Sequence, residues 1–144
     1  MGACSFETQG IGRTVAEAYR DAYDTAVYEY GHQPYSGTIS VKDGYVEFVL
    51  PAGVKLADVF KAISLQQEQD YGRTKYVIGA DGKGKLRQLP ARKMPVWTTR
   101  YTDWKRLYET YQDKWGPAVA IKVGPARQAK GRRWVWEFMG YASC

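Results

Sequence analysis

Histidine occurs once in this chain, at position 32, and cysteine twice, at positions 4 and 144. So few imidazoles and thiols give no zinc-ligand spacing. Two thiols 140 positions apart make no disulfide framework, and a chain of 144 residues with such termini reads as a reduced, cytosolic protein. No run of eighteen apolar residues is present, which excludes a membrane-spanning helix. Residues 1–10 lack the charged and apolar regions of a signal peptide. Phe6 stands where myristoylation wants Ser or Thr, and Cys144 is misplaced for prenylation. There is no phosphate loop, dinucleotide fingerprint or nucleophile elbow. The run Gly79-Ala80-Asp81-Gly82-Lys83-Gly84-Lys85 reads as a hairpin turn rather than a nucleotide cradle. These absences lead to the expectation of a protein that is not an enzyme and holds no cofactor or metal.

Aromatic residues, by contrast, are abundant. Twelve Tyr, five Trp and four Phe make up 15% of the chain, more than one core of this size consumes. Tyr and Trp join an apolar body to a polar atom and so suit half-buried interfaces. Charge is plentiful and divided. Residues 1–72 hold five Lys/Arg against ten Asp/Glu, and residues 73–144 hold sixteen against five, giving −5 and +11. Such a division bears on partners rather than on fold.

The periodicities predict a single α+β domain over residues 1–144, in the order β-α-β-β-α-β-β-α-β-β. Residues 3–9 read as a strand broken by Gly10 and Gly12. Thr14 with Glu17 forms a capping box for a helix over 14–30, apolar at Val15, Ala18, Tyr19, Ala22, Ala26 and Tyr30, with Gly31 as its terminator. Asp43-Gly44 predicts a hairpin joining strands 36–42 and 45–50. A second helix follows over 55–67, then a hairpin of strands 75–80 and 84–89. Residues 90–101 form a basic, proline-punctuated connection. A third helix over 102–115 carries the stripe Trp104, Leu107, Tyr108, Tyr111 and Trp115, and Gly116-Pro117 stops it. Strands 118–123 and 132–139 close the chain. Hairpins of this number predict a mainly antiparallel sheet with amphipathic helices on one face. The first six elements match the order of a ferredoxin-like unit.

Several side-chain groups invite a chemical reading. Strand alternation puts Trp134, Trp136 and Phe138 on one face, preceded by Lys130, Arg132 and Arg133. Aromatics flanked by cations stack bases in RNA-binding sheets, and Lys130–Val135 echoes the start of such a motif, though Arg132 and Glu137 depart from it. The alternative is that these rings pack beneath the third helix, the commoner use of an aromatic strand face. Lys83–Lys93 and Arg127–Arg133 suit a phosphate backbone or an acidic protein surface. Glu17, Asp21 and Asp24 share a helix face, where a metal site competes with a plain solvated face. Tyr28 extends that face. His32, next to a helix end, lacks a partner for general-base work.

Met1–Phe6, Ala16–Tyr19, Tyr28–Gly31 and Tyr35–Ile39 together resemble the opening of small uncharacterised tailed-bacteriophage proteins. The resemblance covers about the first forty residues and carries no known activity. It implies a phage-encoded accessory protein in the host cytoplasm. The expectation is therefore a non-enzymatic protein that binds a host macromolecule, first of all a protein, in host takeover or counter-defence. Lys93, Trp97, Arg100, Arg132, Arg133, Trp134 and Trp136 are its expected contact residues, since Arg and Trp anchor interfaces. The alternative is a nucleic-acid-binding protein using the same basic, aromatic face. A third reading is a protein that binds or sequesters a small nucleotide. Self-association, for instance between acidic and basic halves of two copies, is a further expectation; a membrane partner is not expected.

Overall fold

In the computed structural model, which describes residues 2–31, 33–127 and 131–144, the first strand runs straight through the two glycines expected to break it. Strand β1 spans Ala3–Gly12 and helix α1 spans Val15–Tyr30. A Cβ on Gly10 would lie 1.9 Å from the Ala18 carbonyl oxygen, and one on Gly12 2.6 Å from the Ala18 nitrogen. The glycines and the buried alanines 18, 22 and 26 thus form a small-residue seam along which α1 lies close against β1. Thr14 caps α1 as expected, accepting the Glu17 N–H through its side chain, and Gly31 ends it at φ 75°.

The predicted hairpin over 36–50 does not form. Residues 39–41 make a 3-10 turn, and β2, Tyr45–Phe48, pairs parallel with β5, Ala118–Pro125. Ser36, Thr38 and Ser40, which read as alternate strand positions, bond one another through their hydroxyls at 2.8–3.2 Å. Thr38 also accepts the Ser40 N–H, so local hydroxyl bonding displaces the strand. The favoured two-residue hairpin turns need positive φ at the first position at least, and of Asp43 and Gly44 only Gly44 adopts it. Lys42, expected at the end of that strand, is buried and donates through Nζ to the carbonyls of Asp113 and Tyr141, each at 2.7 Å. Tyr19 secures the same segment, donating to the Lys42 carbonyl and accepting the Gly44 N–H.

Helix α2 is Leu56–Tyr71, longer than expected and ended by Gly72. The second hairpin forms where predicted, with β3 at Arg73–Ile78 and β4 at Gly84–Leu89. The expected third helix forms as α4, Trp104–Gln112, shorter than expected, and a further short helix, α3, Val96–Arg100, follows Pro95 within the stretch expected to be a plain connection. The α4 stripe is buried at Trp104, Leu107, Tyr108 and Tyr111, but Trp115 lies past the helix end and is exposed. Strand β6, Trp134–Ser143, pairs antiparallel with β5 and, along its whole length, with β1. Among the described residues no helix is long and apolar enough to cross a membrane.

The chain is α+β and mainly antiparallel, with sheet order β1-β6-β5-β2 and a separate β3-β4 ribbon. The ferredoxin-like expectation fails because β3 pairs only with β4. Compact packing divides the chain into two units: Met1–Leu50 with Asp103–Cys144, and Pro51–Thr102. In the first, helices cover both sheet faces rather than one. Phe138 and Met139, on opposite faces by alternation, are both fully buried. Trp136 and Phe138 pack with the alanines of α1, whereas Tyr141 meets Tyr111 of α4 edge-on at 5.3 Å. The same unit holds a disulfide between Cys4 and Cys144, their Cα atoms 5.9 Å apart. The expectation of two reduced thiols is thereby corrected. Full-length pairing of the first and last strands brings cysteines 140 positions apart side by side.

Candidate functional site

The expected contact residues fall into three groups. Trp136 is 5% exposed, part of the core beneath α1, and is removed from the contact set. Trp134 is half-buried against the same core, and the Lys122 ammonium sits 3.6 Å from its ring centroid, occupying the face a base would need. The stacking platform suggested by Trp134, Trp136 and Phe138 is therefore a core face, under the first helix and not the third as expected. Arg132 and Arg133 are exposed in the β5–β6 connection, while Lys130 lies outside the described residues. Lys93, Trp97 and Arg100 belong to the other unit; Lys93 and Arg100 are exposed, and Trp97 is half-buried with its ring 6.2 Å from Tyr101.

Two carboxylates of the acidic face of α1 hold backbone. Asp21 accepts the Ile11 N–H and Glu17 the Arg13 N–H, both at 2.9 Å, while Asp24 lies 3.9 Å from Arg20. Among the described residues no group of three His, Cys, Asp or Glu could hold a metal ion. His32 lies outside them. Burial, with Tyr141 and Glu7 nearby, pushes the Tyr111 hydroxyl up to about 12, so it stays protonated at neutral pH.

The unit Pro51–Thr102 carries a feature that residue-by-residue reading missed. It holds ten Lys/Arg against four Asp/Glu, so the whole net charge of +6 resides there and the other unit is neutral. The β3–β4 ribbon displays that charge. Directly paired residues share a face, so Arg73, Lys75, Lys85 and Arg87 line one side, and Tyr76, Ile78 and Leu86 the other. Lys75 faces Arg87 across the ribbon, a like-charge pair that costs stability unless an anion lies over it. No ion pair among the described residues engages Lys75, Lys83, Lys85 or Arg87. Tyr76, Ile78 and Leu86 are 63, 69 and 74% exposed, on a two-stranded ribbon of a kind that is marginal alone. Arg92, by contrast, is committed: it bonds Glu68, whose carboxyl it holds below the ordinary range, and its carbonyl accepts from Gln69. The signal for the ribbon was present as cations at every second position, Arg73 and Lys75 in one strand and Lys85 and Arg87 in the other.

A second feature lies in the neutral unit. A cleft of about 550 Å³ runs between Ser5–Thr8 of β1, Thr25–Tyr30 of α1, and Ser36–Ile39. Glu7 and Glu29 line it, and no Lys or Arg does. Comparison with protein-family models, with curated proteins and with solved structures finds no match to this chain.

Proposed function

We propose that this chain is a non-enzymatic, phage-type accessory protein that binds a host macromolecule in the host cytoplasm, and that the β3–β4 ribbon is its grasping element. The observation that carries this reading is the concentration of the net +6 in one unit, on a ribbon whose cationic face has no internal ion pair. A two-stranded ribbon has the width to enter a major groove, and four to five cations along it match successive phosphates. Nucleic acid therefore takes first place over the host protein that the sequence favoured. The protein reading keeps one supporting observation, the exposed Tyr76, Ile78 and Leu86 on the ribbon's other face. Small-nucleotide capture finds no support in the cleft, because Glu29 repels phosphate there and no Lys or Arg lines it.

The test is binding of a duplex of about 20 base pairs by anisotropy across a salt series. The expected log–log slope is about −4 for the native chain, and the triple variant Lys75→Ala/Lys85→Ala/Arg87→Ala flattens it by about 3. Salt-independent binding, or a triple variant that binds like the native chain, removes nucleic acid from the reading. A host protein retained on the immobilised chain after nuclease treatment, and lost with Tyr76→Ser/Leu86→Ser, would then take its place. The compartment is tested separately. Disulfides are uncommon in the cytosol, so protein alkylated inside intact cells should have both thiols free if the cytoplasmic reading holds.

A further inference from the structure

We propose that the cleft beside β1 is a docking groove for an extended peptide strand bearing a Lys or Arg side chain. Strand β1 is an edge: β6 pairs with one side of it, and no strand pairs with the other. Ile11 donates its N–H to Asp21 instead of to β6. In an antiparallel ladder the other odd residues, Ala3, Ser5, Glu7 and Gln9, then turn their N–H and C=O groups outward as well. Helix α1 closes this edge at one end only, where Asp21 and Glu17 take the N–H groups of Ile11 and Arg13. One and two turns on, the same ridge of α1 presents Thr25 and Glu29. Thr25 turns its hydroxyl back to the Asp21 carbonyl, and no hydrogen bond or ion pair of Glu29 is found among the described residues. The cleft opens at that point, in front of Ser5–Thr8.

Natural edge strands are normally covered or blunted along their length, and this one is covered at one end only. A groove between an open edge and a flanking helix is where a partner peptide adds as an extra strand. Backbone bonds then give affinity, and the groove selects side chains. Charge selects the guest. Glu29, which no cation of the described residues engages, draws a cation and repels a C-terminal carboxylate, and the hydroxyls of Ser36 and Thr38 offer further polar contacts. Ser5–Thr8 span about 13 Å, the length of a four-residue strand. The lining comes wholly from residues 5–39, within the stretch that resembles the phage proteins, and none of it from the ribbon. The groove is thus a second interaction surface, independent of the nucleic-acid reading.

The probe is a fluorescein-labelled peptide of about ten residues alternating Thr and Lys, titrated by anisotropy against the full oxidised chain. Saturable binding is expected, lost when Glu replaces Lys in the peptide and weakened about tenfold when the peptide's alternate amides are N-methylated. Ser5→Pro removes one outward N–H and leaves the β1–β6 ladder to the even residues, so it should weaken binding about tenfold with native circular dichroism. Glu29→Lys should do the same without touching the backbone, and decides the matter if Ser5→Pro misfolds. The ribbon triple variant should bind the peptide like the native chain, which separates failure here from failure of the ribbon reading. No saturation at about 1 mM peptide overturns the proposal, as does unchanged affinity in Glu29→Lys together with the N-methylated peptide. Sedimentation showing a dimer that Ser5→Pro dissociates would overturn it too, assigning the edge to a second copy.

Discussion

At the scale of single residues, Glu137 is the clearest source of a pH effect. It stands on β6 between Gln9 of β1 and Ile121 of β5, 5% exposed, and its Oε2 has no hydrogen-bond partner. Burial raises its pKa, the negative Glu7 adds to the rise, and a bond from Gln9 offsets part of it. A carboxyl whose folded pKa lies above its unfolded value holds more protons when folded. Stability is then undiminished at pH below the unfolded carboxylate range, and falls as pH climbs from that range through the raised folded pKa. Glu137→Gln keeps the shape and removes the titration. It should match the native chain at about pH 4 and exceed it by about 1 kcal/mol at about pH 8, the lower end for relief of an unpaired buried acceptor. Urea unfolding at the two pH values reads this directly. A variant less stable at both would mean the charged carboxylate has a partner. Lys42 shows the opposite condition, a buried cation both of whose close contacts are backbone carbonyls. It reads as a clasp between α4 and β6 and not as a site.

At the scale of elements, the approach of α1 to β1 is set by glycine. Ala at Gly10 would thrust a methyl into the Ala18 carbonyl, a backbone atom that can yield only if the helix shifts. Overpacking of this kind costs roughly 1–3 kcal/mol, and Gly10→Ala should fall at the upper end. Gly124→Ala, whose Cβ would meet nothing within 4 Å, is the matched comparison and should change stability by under about 0.5 kcal/mol. Equal denaturation midpoints for the two would show that the seam is slack. What could be read beforehand follows the same division. Helices α1 and α2 and the β3–β4 ribbon were legible because caps, stripes and turn residues lie within a few positions of one another. The hairpin over 36–50 was misread because the partner of β2 is β5, some seventy positions on, and nothing local announces a parallel pair. Gly10 and Gly12 read as breakers because the helix that needs them closes over them only in the fold. Of the contact set, the exposed cations Lys93, Arg100, Arg132 and Arg133 were recognisable as surface, but the burial of Trp136 depends on which helix covers β6.

At the scale of the whole molecule, charge and covalent linkage are distributed unequally. The unit Pro51–Thr102 carries the net charge, and the unit made of both chain ends carries the disulfide. Cys4–Cys144 spans 140 positions. Removing that much loop entropy from the unfolded chain stabilises the fold by at most about 5 kcal/mol in the chain-entropy account, and engineered cases usually return less. Reductant, or Cys4→Ser, should therefore lower the urea midpoint of the sheet unit substantially, as followed by tryptophan fluorescence. Unchanged midpoints would mean that β1–β6 pairing holds the ends together as firmly in the unfolded ensemble as the covalent bond does. The bond has one more consequence, for topology. With residues 4 and 144 joined, the backbone between them is a closed ring, and one cut by a protease anywhere around it opens the ring without releasing a fragment. A molecule clipped once at the ribbon turn keeps its full mass on a non-reducing gel, and separates into two pieces only when the sulfurs part.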